Sequence, residues 1–208
     1  MKKLLSAVML CALGVVGCGE DPVTPPVDNT PKLNTQQGIL DYLDGKSLTM
    51  TGANIPSHPN GLNEDTNYGQ ASQCYKSVTM TVSGGTFSVN SVPGTIEGAA
   101  NVGQTGTCNH DLARSALNFN STAVLMENIA ADGSCFDVTF TYPGFKQVGR
   151  GGFSADAKTL RLELFFENAA TGAKCANGAV GSNTVSLIVQ GQSVPFTGNA
   201  VQVYTVSQ

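Results

Sequence analysis

The fold is indicated most clearly by the stretch Thr159–Phe166, which reads TLRLELFF. Apolar side chains occupy every second position, and Arg161 and Glu163 lie between them. A period of two is the pattern of a β-strand with one buried face. We therefore expect Arg161 and Glu163 to point outward. The positions expected to point inward are Leu160, Leu162, Leu164 and Phe166.

The same alternation recurs through most of the chain, between short turn signals. In the segment Cys74–Val82, Val78 and Met80 alternate with polar residues, and Gly84-Gly85 then indicates a tight hairpin turn. Pro-Gly pairs mark two further turns. The predicted strands are Ser47–Thr51, Cys74–Val82, Thr86–Val92, Thr95–Val102, Ser115–Leu125, Phe136–Tyr142, Phe145–Phe153, Thr159–Phe166, Thr184–Gln190 and Ser193–Tyr204.

One short helix is predicted ahead of these strands. Thr35 is placed to cap its start, Ile39 and Leu43 lie on its apolar side, and Gly45 marks its end. Strands joined by tight turns, with no helices between them, predict an all-β fold built as an antiparallel meander of nine or ten strands. Because each strand has one apolar face that must be buried, the sheet has to close into a barrel or stack into a sandwich. We favour a closed barrel over a sandwich.

The start of the domain resembles the opening of a lipocalin-type barrel. A short helix leads through Leu43-Asp44-Gly45-Lys46 into a strand, and Leu48 lies near the place of the family's tryptophan. The resemblance implies a barrel that is either filled by side chains or hollow enough to carry an apolar molecule. A filled barrel would act through its loops. The residues expected inside are Leu160, Leu162, Leu164, Phe166, Phe136, Phe140, Val78 and Met80.

The N-terminus has the features of a secretory leader. A basic start precedes an apolar run over residues 4–16, which is too short to cross a bilayer as a helix. The run ends in Val15-Val16-Gly17-Cys18, which resembles the lipobox of bacterial lipoproteins. The resemblance implies cleavage before Cys18, a lipid on its sulfur and an acylated amine. Gly19, in place of Asp, favours the outer membrane, on its periplasmic face or at the cell surface.

These features divide the chain into three parts. Residues 1–17 are predicted to be a signal peptide that is removed, and residues 18–32 a lipidated cysteine followed by a proline-rich tether. Residues 33–208 are predicted to form one β-domain. Proline-rich chain extends by about 3.1 Å per residue, so the tether would hold the domain roughly 40 Å from its lipid.

Composition and charge exclude several classes of partner. The chain has 15 acidic and 11 basic residues, with no basic cluster. This balance disfavours binding to nucleic acid and to anionic lipid. Abundant glycine and the absence of tryptophan are typical of a secreted β-rich protein rather than a helical enzyme. The expected membrane contact is therefore the lipid anchor.

The six cysteines have separate expected roles. One lies in the leader and Cys18 carries the lipid, so four remain in an oxidising compartment, where two disulfides are the default. No two of the four have the spacing of a zinc knuckle, and we expect no metal. Alternating strand directions favour the pairs Cys74–Cys135 and Cys108–Cys175, because the members of each pair would share one end of the barrel.

Few residues suit catalysis. His58 and His110 are the two histidines, and the sequence contains no nucleophile elbow around which a Ser–His–Asp arrangement could form. Asp137 and Glu163 are the carboxylates considered for glycoside chemistry. Both are expected on the outward, polar side of their strands, which argues against a buried acid–base pair.

A long polar loop, Gly52–Ser72, is the best candidate for contact with a partner. Its acidic part lacks the spacing of a calcium loop, so a polar surface with local turns is the preferred interpretation. Its least generic residues are His58, Asp65 and Tyr68.

Taken together, these features predict an envelope lipoprotein without catalytic activity or cofactor. It would have a binding or a structural role in the cell envelope, with a protein, glycan or apolar molecule bound through its loops or the barrel mouth. A carrier of lipid or another small apolar ligand is the first alternative. An envelope hydrolase or isomerase is the second, and it would require His58 or His110 beside a carboxylate and a nucleophile.

Overall fold

The computed structural model describes residues 30–51, 62–63, 74–98, 105–196 and 199–207, which are mostly β-structure. One α-helix, α1 (Gln36–Leu43), precedes all of the described strands. The strands are β1 (Ser47–Thr51), β2 (Leu62–Asn63), β3 (Tyr75–Ser83), β4 (Thr86–Pro93), β5 (Thr95–Glu97), β6 (Thr105–Asn109), β7 (Leu117–Asn120), β8 (Ala123–Glu127), β9 (Phe136–Tyr142), β10 (Phe145–Phe153), β11 (Thr159–Phe166), β12 (Ala170–Thr171), β13 (Ser186–Val189), β14 (Gln192–Pro195) and β15 (Val201–Val206).

Nine strands form one antiparallel sheet in the order β7-β4-β3-β1-β15-β11-β10-β9-β8. The sheet curves into a half-barrel with β7 and β8 at its edges. The prediction of an antiparallel β-fold with one short helix is confirmed. The observed architecture is a half-barrel, whereas the sequence predicted a closed barrel.

The two edge strands are consecutive in the chain. The predicted strand Ser115–Leu125 is divided into β7 and β8 because its middle changes partners. The Ser121 N–H donates to the Phe87 carbonyl at 2.9 Å, whereas the Thr122 N–H donates to the Thr141 carbonyl at 2.8 Å. Neighbouring residues therefore bond to β4 on one side and to β9 on the other.

Helix α1 covers one end of the half-barrel, which we call the helix end. Its start is capped as predicted, because the Thr35 hydroxyl accepts a hydrogen bond from the Gly38 N–H at 3.0 Å. Ile39 and Leu43 are fully buried against the strands. The opposite end, where β3 begins and β4 ends, is the open end.

The interior of the half-barrel holds the main hydrophobic core. Seven of the eight residues expected inside are buried, and Phe166 is half-buried at the open end. The seven are Val78, Met80, Phe136, Phe140, Leu160, Leu162 and Leu164. The interior is therefore filled toward the helix end.

The outer face of β9, β10 and β11 carries a second layer, which the sequence did not predict. Residues 167–196 leave β11 at the open end and fold back over this face as β12, β13 and β14, around a small core that contains Phe165. We call this segment the lobe. Asp137 and Glu163 lie on the outward side of their strands, as predicted, but the prediction that they are not buried is wrong, since they are only 5% and 3% exposed. An alternating pattern predicts which face of a strand a residue lies on. It does not predict whether another segment covers that face.

The disulfides join Cys74 to Cys108 and Cys135 to Cys175, with Cα–Cα distances of 5.5 and 5.9 Å. Two disulfides were predicted, but both predicted pairings are wrong. Cys74 does not pair with Cys135 because β5 pairs with β6 as a separate ribbon. This ribbon returns Cys108 to the end of the sheet where Cys74 lies.

The second pairing differs because the lobe runs backward along the outer face. This path carries Cys175 from the open end of β11 to the start of β9, beside Cys135. In the part of the chain that the structure describes, no helix has the length and apolar character needed to cross a membrane.

The packing of α1 yields a stability prediction. Replacing Leu43, which is fully buried, by Ala should lower the free energy of unfolding by about 2–5 kcal/mol, because it leaves a cavity at the helix end. Leu40→Ala, at a half-buried position on the same helix, should cost less. Urea unfolding of both variants measures the difference, and equal losses would contradict this role for Leu43.

Candidate functional site

An apolar cavity of about 540 Å³ lies at the open end of the half-barrel. It is formed by residues of five strands of the main sheet. The described residues that line it are Tyr75, Ser91, Leu117, Asn118, Phe119, Phe145, Gln147 and Phe166. Five of these eight side chains are aromatic or aliphatic and none is charged.

Strand register explains how these side chains come together. Phe145 and Gln147 are two residues apart on β10, so they point to the same face of the sheet. Gln147 pairs with Phe166 on β11, and Ser91 on β4 pairs with Leu117 on β7. The cavity walls are therefore side chains from the open ends of neighbouring strands.

The aromatic rings of the cavity wall form a connected cluster. Phe119 meets Tyr142 edge-on with 5.0 Å between ring centroids, and it meets Phe145 edge-on at 5.6 Å. Phe145 in turn stacks on Tyr142 at 4.8 Å and meets Phe166 edge-on at 5.8 Å. Such pairs are favourable beyond their buried area. They fix the shape of the cavity wall.

A smaller void of about 30 Å³ shares lining residues with the cavity and extends into the interior. Polar groups line it: the Tyr204 hydroxyl donates to the Gln202 Oε1 at 2.6 Å, and the Gln202 Nε2 donates to the Tyr75 hydroxyl at 3.5 Å. Burial raises the pKa of Tyr204 well above its usual value, and it also raises the pKa of Tyr142. These tyrosines are therefore neutral at physiological pH.

Two charged side chains beside the cavity are paired with each other. Lys146 and Glu167 follow Phe145 and Phe166 in sequence, and their side chains form an exposed ion pair at 3.1 Å. Exposed pairs of this kind contribute little to stability. The cavity therefore offers aromatic surface and a few neutral hydrogen-bonding groups.

The carboxylates considered for catalysis lie elsewhere, under the lobe. Asp137, Arg150 and Glu163 are register partners on β9, β10 and β11, so they form one row across the outer face of the sheet. Arg150 is 0% exposed, and its Nε donates to the Glu163 Oε2 at 2.6 Å. Arg150 lies between the two acids, so they do not form a pair that could act on one bond.

The remaining donors of Arg150 hold the lobe. Its Nη1 donates to the carbonyls of Lys174 and Gly178 at 3.3 and 2.8 Å, and its Nη2 donates to the Ser182 carbonyl at 2.9 Å. The Thr184 hydroxyl accepts another bond at 3.1 Å. A buried guanidinium needs such partners to offset its lost hydration. This cluster is a structural attachment of the lobe.

Asp137 fixes the same segment at a second point. Its Oδ1 accepts the Cys175 N–H at 2.8 Å, beside the Cys135–Cys175 disulfide, and its Oδ2 accepts a bond from the Asn128 Nδ2 at 2.8 Å. Both carboxylate oxygens are therefore occupied by protein donors.

His110 is also used structurally. Because a carbonyl oxygen only accepts, the His110 Nδ1–H donates to the Tyr75 carbonyl at 2.6 Å. His110 also lies next to the Cys74–Cys108 disulfide, with its Nδ1 3.4 Å from the Cys108 Sγ. Among the described residues, no group of three His, Cys, Asp or Glu side chains is positioned to hold a metal.

Several of the predicted site residues lie outside the described residues. They are Cys18 with its leader, and His58, Asp65 and Tyr68 in the long loop. The sequence predicted the barrel mouth as one possible place of binding but did not identify the residues that line the cavity, although a signal was present. Phe145 follows a Pro-Gly turn and Phe166 ends a strand, so both aromatic side chains lie at the same end of an antiparallel sheet.

Comparison with known proteins finds no matching family model, no similar curated protein and no similar solved structure. The site is therefore interpreted from its own geometry.

The Arg150 cluster predicts that a buried arginine which holds the lobe contributes more to stability than an exposed arginine nearby. Arg150→Met leaves the Glu163 carboxylate buried without its partner, so we expect a loss of about 3–5 kcal/mol in the free energy of unfolding. Arg161→Met, at an exposed position on the next strand, should change it by less than about 0.5 kcal/mol. Urea unfolding with intact disulfides compares them, and a small effect of Arg150→Met would refute the attachment role.

Proposed function

We propose that this protein is a non-catalytic binding protein that takes a small apolar molecule into the cavity at its open end. The observation that carries this proposal is the cavity itself, about 540 Å³ of space walled by aromatic rings. Sites for small molecules have volumes of about 300–1,000 Å³ and mostly apolar walls. Each 100 Å² of apolar surface removed from water would contribute roughly 2.5 kcal/mol.

The chemistry of the lining favours this function over catalysis. None of the eight lining residues is charged, and among the described residues no histidine, lysine or carboxylate that could move a proton lines the cavity. His110 donates to a backbone carbonyl, and Asp137 and Glu163 are bonded to groups of the lobe. These contacts support a binding role and give no support to a hydrolase.

We also propose that the half-barrel is completed to a lipocalin-like barrel. Two observations support closure: β7 and β8 run in the same direction, and the backbone between them bonds to β4 at Ser121 and to β9 at Thr122. Treated as one bent strand, β7 and β8 would complete an eight-stranded antiparallel ring. Such a barrel is of the size that holds one small ligand.

The place of action that we propose is the bacterial outer membrane, through a lipid on Cys18. The lipobox supports this anchor, and the two disulfides fit an oxidising compartment. Contact of the loop Gly52–Ser72 with a protein or glycan partner stays a prediction from the sequence.

The binding proposal predicts saturable uptake of a neutral apolar fluorophore, N-phenyl-1-naphthylamine. Leu117→Asp places a charge at the cavity wall and should weaken binding about ten-fold or more, because an apolar ligand would desolvate the carboxylate. Leu117 is 45% exposed, so the fold should tolerate the change.

Leu125→Asp is the matched control, since Leu125 is 48% exposed on the next strand and does not line the cavity. Fluorescence titration should give wild-type affinity for this variant. Equal weakening by both changes, or no saturable binding to the wild type, would count against the proposed cavity function.

The anchor predicts that mass spectrometry of the protein purified from bacterial membranes will find the leader removed and Cys18 triacylated. Cys18→Ala should move the protein from the detergent phase to the aqueous phase in Triton X-114 partition, because no acyl chain remains. Cys11→Ala should not. An unmodified Cys18 with the leader attached would overturn the anchor.

A further inference from the structure

Ser91 is a buried polar residue on the cavity floor whose hydroxyl is not used by the rest of the described protein. Its residue surface is only 4% exposed, and it lines both the cavity and the void beneath it. Among the described residues, no side chain or backbone group makes a hydrogen bond to the Ser91 hydroxyl. Buried hydroxyls normally have a partner. This one is directed at space that a ligand would fill.

Gln147 provides a second polar group at the same place. It lies on β10, lines both spaces, and is half-buried. An amide side chain both donates and accepts hydrogen bonds, as a hydroxyl does. Ser91 and Gln147 could therefore bond to the same uncharged group of a ligand.

The void limits the size of that group. Its volume of about 30 Å³ is enough for a group of the size of a water molecule, such as a hydroxyl or carbonyl group. The much larger cavity of about 540 Å³ would hold the apolar body.

The charge of the group is limited as well. Of the residues that the structure describes, none with a cationic side chain lines the cavity or the void, and Lys146 is paired with Glu167. A carboxylate inserted here would lose its hydration without gaining a charged partner. The floor therefore suits a neutral group.

We infer that the natural ligand is an uncharged apolar molecule with one terminal hydroxyl or carbonyl group, and that it binds with this polar end inward, against Ser91 and Gln147. This inference rests on the proposed binding function and specifies its ligand. The opposite orientation would cover the Ser91 hydroxyl with hydrocarbon and leave it without a partner.

A matched series of ligands tests the inference on the wild-type protein. Naphthalene, 2-naphthol and 2-naphthoate share one aromatic body and differ in having no polar group, a neutral hydroxyl and, near neutral pH, a carboxylate. Fluorescence or calorimetric titration should give the tightest binding for 2-naphthol, with naphthalene and 2-naphthoate each about ten-fold weaker, or about 1.4 kcal/mol.

Removal of the Ser91 hydroxyl should abolish this preference. Ser91→Ala should weaken 2-naphthol binding about five- to ten-fold and leave naphthalene unchanged, because only the hydroxyl loses a partner. Ser88→Ala is the control, since Ser88 is exposed and points away from the interior on the same strand. It should bind all three ligands as the wild type does, and a change in melting temperature would reveal any loss of folding.

The outcomes separate this inference from the proposed function. Equal binding of naphthalene and 2-naphthol, unaffected by Ser91→Ala, would retain the apolar cavity but overturn the polar anchor. Tightest binding of 2-naphthoate would also overturn it. Failure of all three compounds to bind would reject the cavity function and this inference with it.

Discussion

The structure depends most on the packing of Phe119 against Tyr142 and Phe145. Phe119 lies on β7 at one edge of the sheet, whereas Tyr142 and Phe145 lie on β9 and β10 near the other edge. The contact holds the two edges of a nine-stranded sheet near each other, so it maintains the curvature that buries the interior. The same three rings form or adjoin the cavity wall. Fold and candidate site therefore depend on one set of contacts.

A second constraint acts on the outer face, where the lobe has to cover a buried guanidinium. Arg150 exchanges its hydration for the Glu163 carboxylate and acceptors on residues 174–184, and the Cys135–Cys175 disulfide fastens the same segment. The lobe begins directly after Phe166, which is part of the cavity wall. Attachment of the lobe thus fixes the end of β11 and, with it, one side of the open end. Polar groups that resemble an acid–base site are here a means of holding a layer in place.

The sequence predicts those parts of the fold that depend on residues close together in the chain, such as the alternation within a strand or the residues that cap a helix. The alternation in Thr159–Phe166 gives β11 its bounds and its inward leucines, and Thr35 with Gly45 delimits α1 closely. The disulfide pairing could not be predicted, because it depends on β5 and β6 forming a ribbon outside the main sheet. The burial of Asp137 and Glu163 could not be predicted either, because the part of the lobe that contacts them, residues 174–182, has no strand periodicity. The cavity could not be predicted because it depends on a contact between the two edges of the sheet, where Phe119 meets Tyr142 and Phe145. These residues are not neighbours in the sequence.

The most direct test of this account is the position of a bound ligand, measured by intermolecular nuclear Overhauser effects between 2-naphthol and the protein. We expect contacts to the ring protons of Phe119, Phe145 and Phe166, and none to α1 at the opposite end. Contacts confined to the outer faces of the sheet or to the lobe would contradict the claim that the curved sheet forms a binding cavity at its open end.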